Sequence, residues 1–166
     1  MYKVFLSLGS NIGDRIYYLS RAIEEIGSIM IVNSLSSIYE TEPIGYESKN
    51  TFYNMVISAD TLYRPPELLS KIRQIEKKLG KKSVKYIRDR EIDIDILMYR
   101  GWSFENENLQ IPHPELEHRR FVLEPFNEIA PTAIHPILGQ TIATLLRNCH
   151  DQSRVMRTLH VINIKN

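Results

Sequence analysis

Residues 90–99 read REIDIDILMY, a run in which isoleucine and aspartate alternate. The alternation has the period of a β-strand, and it puts two carboxylates at positions where half-buried side chains are expected. Residues two apart in a strand point to the same face and lie about 6.5–7 Å apart. Asp93 and Asp95 are therefore predicted to share one face, while the three isoleucines enter the core from the other.

The aspartate pair indicates a metal site. Two ionised carboxylates at that separation repel by roughly 2–3 kcal/mol at an effective dielectric constant near 20. A divalent cation would offset this cost, and carboxylates without a neighbouring Cys or His favour magnesium or manganese. A close pair can hold two ions that share phosphate oxygens. The alternative, and the commoner case for an isolated D-x-D pattern, is a solvent-facing pair without a ligand.

The segment before this strand is strongly basic. From Lys77 to Arg90 it contains seven lysines and arginines against one acid, Asp89, so it carries +6 while the whole chain carries +1. This is either a solvated loop or a site for a small polyanion. Acids for magnesium beside cations for phosphates favour a metal-nucleotide pocket. The sequence contains neither a Walker-type phosphate loop nor G-x-G-x-x-G, so the common kinase and dinucleotide folds are disfavoured.

Composition predicts one globular domain over residues 1–166. Hydrophobic residues make up 43% and charged residues 25%, the balance of a packed domain. A single cysteine, Cys149, excludes an internal disulfide and a cysteine-based zinc site and fits a reducing compartment. The sequence shows neither a signal peptide nor an apolar run that could span a bilayer, so we expect a cytoplasmic protein without a membrane partner.

Hydrophobic periodicity predicts the order βαββαβ followed by a mostly helical tail. The predicted strands are Tyr2–Leu8, Ile29–Tyr39, Phe52–Leu62 and residues 90–99, and the predicted helices are Asp14–Gly27 and Pro65–Gly80. A long polar loop, residues 40–51, separates the second and third strands. In the tail we expect a helix ending at Ala130, a short helix within Leu138–Leu146 and a last strand at Val155–Ile164. This order predicts an α+β fold, a ferredoxin-like sandwich with an antiparallel sheet and helices packed on it.

Several motifs in order resemble one family. SLGSNIGDR, SSIYETEPIG, FYNMVI, REIDIDIL and IPHPELEHRRFVLEPFNEIAP together resemble the 6-hydroxymethyl-7,8-dihydropterin pyrophosphokinases of folate biosynthesis, from the first strand to Pro131. Linked motifs are more specific than any one alone. The resemblance implies transfer of pyrophosphate from MgATP to the hydroxymethyl group of a reduced pterin, by in-line attack with two magnesium ions.

The resemblance also implies roles for individual residues. Asp93 and Asp95 would bind the two magnesium ions and, with Arg90, form the catalytic set. The residues that would contact the nucleotide are Arg90, Ile96, His113, Arg119, Lys81, Lys82 and Lys85. The residues that would bind the pterin are Thr41, Pro43, Ile44, Phe52, Asn54 and Phe121. Within this set Phe52 and Phe121 would sandwich the ring, and Asn54 would bind its polar edge; without the resemblance, both phenylalanines would be assigned to the core.

The chain departs from the family pattern at three positions. Ile87 and Asp89 stand where an aromatic residue and a proline are frequent, and Glu42 replaces a small residue or proline.

One rival reading is a metal-dependent nucleotidyl transferase or phosphohydrolase, which would use the same carboxylates. Another is an RNA-binding module, which would have no use for the aspartates and fits poorly with a near-neutral charge. We expect small-molecule substrates, ATP and a reduced pterin, with no nucleic acid and no obligate protein partner.

Overall fold

The structure is a computed structural model that describes residues 1–81 and 89–163. Its strands are β1 (Tyr2–Ser10), β2 (Ile31–Leu35), β3 (Tyr39–Thr41), β4 (Phe52–Thr61), β5 (Asp93–Tyr99), β6 (Phe104–Asn106), β7 (Leu109–Ile111) and β8 (Val155–Arg157). Its helices are α1 (Arg15–Gly27), α2 (Pro65–Lys78), α3 (Arg120–Ile129) and α4 (Ile142–Arg147), with a 3₁₀ turn at Leu116–His118. The predicted α+β class is confirmed.

The strands form an antiparallel sheet in the order β5-β1-β4-β3-β8, with β2 also paired to β4. β6 and β7 form a separate hairpin. Helices α1 and α2 cover one face, because their predicted apolar stripes pack against the alternating side chains of β1 and β5. Asp14 caps α1 by accepting a hydrogen bond from the Tyr17 amide at 3.0 Å. Among the described residues, no helix has both the length and the apolar character to cross a membrane.

The second face of the sheet is divided into an apolar half and a polar half. The apolar half packs under α3 and α4 and includes Phe5, whose ring centroid lies 4.7 Å from that of Phe126. Farther along β1 the same face carries Ser7 and Gly9, which contribute little or no apolar surface. Gly9 pairs with Asn54 and with Asp93, and Ser7 pairs with Asp95. The sheet therefore presents its carboxylates beside the helical cover, on the half that α3 leaves open.

Two predicted elements differ from the structure. The strand predicted at Ile29–Tyr39 is interrupted, because the Ser36 backbone N–H donates to the Val56 carbonyl while its hydroxyl accepts from the Val56 amide, both at 2.9 Å. In the tail, the two predicted helices correspond to α3 and α4, but the predicted last strand is shorter, because β8 ends at Arg157. The end of the predicted last strand, Ile164, lies outside the described residues. The β6–β7 hairpin was not predicted, because three-residue strands are too short to show a period.

Candidate active site

A cavity of about 200 Å³ opens on the polar half of the sheet. Its lining residues are Ser7, Gly9, Thr41, Glu42, Ile44, Tyr46, Phe52, Asn54, Arg90, Asp93, Asp95, Arg119 and Phe121. Nine of these were predicted as site residues from the sequence. The lining residues come from strands β1, β3, β4 and β5, from the loop that follows β3, from the segment just before β5 and from the start of α3. Pro43 belongs to that loop but does not line the cavity.

The two aspartates lie in different electrostatic surroundings. The Asp93 carboxylate bonds to Lys81 Nζ at 2.5 Å and to Arg90 Nη1 at 3.2 Å. The Asp95 carboxylate accepts no hydrogen bond from the described residues. Burial, reinforced by the nearby charge of Asp93, raises its pKa from the usual value of 3.8 to about 7. Asp93 is thus paired with two cations, whereas Asp95 forms no ion pair with the described residues and is influenced by Lys81 and Arg119 only from a greater distance.

This pair fits a hard divalent cation, because added positive charge would stabilise the ionised form of Asp95. The described residues contain no group of three or more His, Cys, Asp or Glu side chains that could hold a metal ion. A cation bound at Asp93 and Asp95 would therefore take its remaining ligands from water or from a substrate. Magnesium commonly binds in this way, through one or two carboxylates plus phosphate oxygens.

A buried glutamate positions the aspartate strand. Glu76, on α2, accepts a hydrogen bond from the Ile94 amide at 2.8 Å and one from Lys81 Nζ at 2.7 Å. Burial raises the pKa of Glu76, although Lys81 opposes the shift. For Lys81, burial lowers the pKa, but the carboxylates of Asp93 and Glu76 outweigh it and raise the pKa overall. Lys81 is therefore held as a cation beside Asp93. The sequence analysis did not identify Glu76, which lies within an ordinary amphipathic helix.

A second cavity, of about 480 Å³, lies alongside β5 and also includes Asp95. It is lined by three further predicted residues, Lys81, Ile96 and His113. The His113 amide donates to the Leu97 carbonyl at 2.8 Å, which fixes the His-Pro loop next to β5. Burial, and then the charge of Arg119, lower the pKa of His113. Its Nδ1 accepts from the Glu115 amide at 3.1 Å, so a neutral ring carries its proton on Nε2.

The predicted cations fall into three groups. Arg90 and Arg119 line the first cavity, and Lys81 lines the second. Lys82 and Lys85 lie outside the described residues.

The predicted aromatic residues line one cavity together. The guanidinium of Arg90 lies 5.6 Å from the ring centroid of Phe52, and that of Arg119 lies 5.9 Å from the ring of Phe121. Each ring thus has an arginine nearby at the cation–π distance. The first cavity therefore combines two aromatic side chains with cations at its border.

An amide group at the base of the first cavity is positioned by its neighbours. Asn54 Nδ2 donates to the Thr41 hydroxyl at 2.6 Å, and both residues are buried. A Cβ atom added to Gly9 would lie only 2.7 Å from Asn54 Oδ1. Glycine at this position is what allows the amide to lie over β1. The first predicted strand ends at Leu8 and so leaves Gly9 out, and only the strand register shows that Gly9 faces Asn54.

Comparisons with known proteins find relatives that match most of this chain. The family described as 7,8-dihydro-6-hydroxymethylpterin-pyrophosphokinase (HPPK) matches residues 5–131. The 2-amino-4-hydroxy-6-hydroxymethyldihydropteridine pyrophosphokinase of Aquifex aeolicus is 44% identical over 137 residues, which cover 82% of this chain and 86% of that protein. The Bacillus subtilis protein of the same name is 42% identical over 127 residues, covering 75% and 76%.

Solved structures show the same fold. A crystal structure of Plasmodium falciparum HPPK-DHPS superposes with a TM-score of 0.74 at 18% identity. The match covers 89% of this chain and 45% of that one, so this chain spans less than half of the solved protein's length.

Proposed function

Because this chain belongs to the 7,8-dihydro-6-hydroxymethylpterin-pyrophosphokinase family, and is therefore a diphosphokinase of folate biosynthesis, we propose that it transfers pyrophosphate from MgATP to 6-hydroxymethyl-7,8-dihydropterin, releasing AMP. One observation carries this proposal. Asp95 lines two cavities, one that includes the side chains of Phe52 and Phe121 and one that includes a lysine and a histidine. That arrangement brings an acceptor site and a polyphosphate site together at one pair of carboxylates.

The pterin would occupy the first cavity. Phe52 and Phe121 would contact the two faces of the flat ring, and the Asn54 amide would bind its polar edge, as stacking plus a few rim hydrogen bonds requires. Ile44 and Thr41 would complete the wall, with Pro43 shaping the loop that carries Ile44.

The triphosphate would lie along β5 and the second cavity. Arg90, Arg119 and Lys81 would neutralise phosphate oxygens, and His113 Nε2 would donate a hydrogen bond to one. Ile96 would contact the nucleotide from the strand, and Lys82 and Lys85 would add charge from the adjoining segment.

The substrate hydroxyl attacks the β-phosphorus in line, the bond from that phosphorus to the α-phosphate oxygen breaks, and AMP leaves. The protein supplies position and charge and needs no covalent nucleophile. Two magnesium ions, held by Asp93 and Asp95, would supply the charge that neutralises the phosphates and would acidify the attacking hydroxyl. Since Asp95 borders both cavities, either its carboxylate or a metal ion bound there would ease removal of the hydroxyl proton.

We also propose that residues 1–166 form a single domain with a ferredoxin-like sandwich at its centre. The order β5-β1-β4-β3, with α1 and α2 on one face, supports this assignment. Beyond the family match, α4 packs against α3 and β8 extends the sheet next to β3. Cys149 is a free thiol, in keeping with the cytoplasmic location that we propose.

The configuration at the β-phosphorus tests this mechanism. With ATP made chiral by sulfur at the β-phosphate, a single in-line displacement inverts the configuration in the pterin diphosphate. Retention would indicate a covalent intermediate on the protein and would contradict the proposal. Analysis of the products also separates the rival functions. A phosphohydrolase would form AMP without pterin, and an RNA-binding module would form no AMP.

A further inference from the structure

The loop that follows β3 is tied to a residue on the far side of the first cavity. Asp89 Oδ2 accepts a hydrogen bond from Asn50 Nδ2 at 2.7 Å, and Asp89 Oδ1 accepts one from the Tyr46 hydroxyl at 3.1 Å. Partial burial raises the pKa of Asp89, but hydrogen bonds from Ser48 and these neighbours outweigh it and lower the pKa overall. The carboxylate is therefore ionised at neutral pH and accepts charge-assisted hydrogen bonds.

Asn11 is the anchor of this arrangement. Its Nδ2 donates to Asp89 Oδ1 at 2.8 Å and to the Tyr46 hydroxyl at 3.0 Å, which closes a three-way contact. Its Oδ1 accepts from the Arg90 amide at 2.8 Å, and its own amide donates to the Arg90 carbonyl at 3.2 Å. Asn11 is 2% exposed, so these bonds are shielded from water.

The three-way contact bears on the substrate cavity, because Tyr46 lines it together with Ile44. We propose that Asp89 is a positioning residue that sets the affinity for the pterin by pinning the loop, residues 42–51, to Asn11. The expected effect on pterin affinity rests on the proposed function, whereas the hydrogen bonds that pin the loop do not depend on it. Loss of the Asp89 carboxylate removes the bonds from Tyr46 and Asn50 and leaves the loop with the bond between Asn11 and Tyr46, so the loop is loosened. The phosphate-binding side stays in place, since Asn11 holds the Arg90 backbone without help from Asp89.

Steady-state kinetics test the consequence. Asp89→Ala is expected to raise KM for the pterin by about tenfold, while kcat and KM for ATP stay within about twofold of the parent. Asp89→Asn keeps one acceptor oxygen, so its KM for the pterin is expected to lie between those of the parent and Asp89→Ala. Glu47→Ala is the matched control, because it also removes one negative charge. The Glu47 side chain lies in the loop, is exposed and makes no hydrogen bond within the described part of the chain. This variant should leave all three constants near the parent values.

Hydrogen exchange tests the pinning without any activity. In the protein without added substrates, amides in residues 43–50 should exchange at least about fivefold faster in Asp89→Ala than in the parent and in Glu47→Ala. Equal exchange in parent and Asp89→Ala would overturn the proposal, as would equal rises in KM for pterin and ATP. If the parent releases no AMP in response to pterin, the proposed function fails, and the exchange experiment still decides whether Asp89 pins the loop.

Discussion

Gly9 shows how a missing side chain can shape this site. The position lies within β1 and pairs with both Asn54 and Asp93, so its lack of a Cβ leaves room between the amide and the carboxylate. An added methyl group would meet Asn54 Oδ1 at 2.7 Å, well inside van der Waals contact. The glycine therefore belongs to the binding surface as much as the residues that touch substrate.

Replacing Gly9 tests that role. Gly9→Ala should displace the Asn54 amide from Thr41 and weaken pterin binding by about tenfold or more, since a polar group built to pair with the ligand is then misplaced. Pterin fluorescence titration measures the affinity. Gly27→Ala is the control, because nothing lies within 4 Å of a Cβ at that position. The pterin affinity of this variant should match that of the parent. Equal affinities for all three proteins would show that Gly9 has no such role.

The raised pKa of Asp95 predicts a pH dependence of stability. Since the folded-state pKa, about 7, exceeds the unfolded value, the contribution of Asp95 to stability is fully present below about pH 4 and is lost as pH rises through 7. Relative to Asp95→Asn, the metal-free parent should lose stability between pH 5 and pH 8, on the order of 3 kcal/mol. Urea unfolding at pH 5 and pH 8 measures the difference, and magnesium should reduce it. A difference independent of pH would contradict the assignment.

At the scale of the element, α2 holds β5 in place through one buried side chain. Glu76 gives the Ile94 amide a hydrogen-bond partner and orients Lys81 toward Asp93. The strand that carries the aspartates therefore depends on a helix from the opposite layer.

A pair of substitutions at Glu76 separates the hydrogen bond from the charge. Glu76→Ala should lower the free energy of unfolding by about 2–4 kcal/mol, because it leaves a buried amide unpaired. Glu76→Gln keeps an acceptor for Ile94 and should cost less. Urea denaturation at pH 7 measures both variants. If the alanine variant is as stable as the glutamine variant, the bond to Ile94 contributes little.

The whole molecule separates its two cores with one sheet, and the core under α3 and α4 adjoins the first cavity. Leu123 lies in α3, whose first turn carries Phe121, whereas Leu19 lies in α1 on the other face; both are fully buried. Leu123→Ala and Leu19→Ala should each cost about 2–5 kcal/mol of stability. Only Leu123→Ala should also lower kcat/KM per folded molecule. Equal effects on kcat/KM would show that the site does not depend on which core supports it.

The sequence predicted the strands and helices whose apolar residues recur at a regular spacing. Alternation placed Asp93 and Asp95 on one face of a strand, and helical spacing located the buried stripes of α1 and α2. It could not place Asn11 next to Asp89, which is 78 residues away, because no local pattern encodes that pairing. The interruption at Ser36 was equally hidden, since it arises from bonds to Val56 on another strand.

The decisive measurement of function is the release of AMP from MgATP, with and without 6-hydroxymethyl-7,8-dihydropterin, by the parent and by Asp95→Ala. We predict AMP formation that depends on the pterin in the parent and falls by about a thousandfold or more in the variant. Release that is independent of pterin, or that survives in Asp95→Ala, would contradict the account.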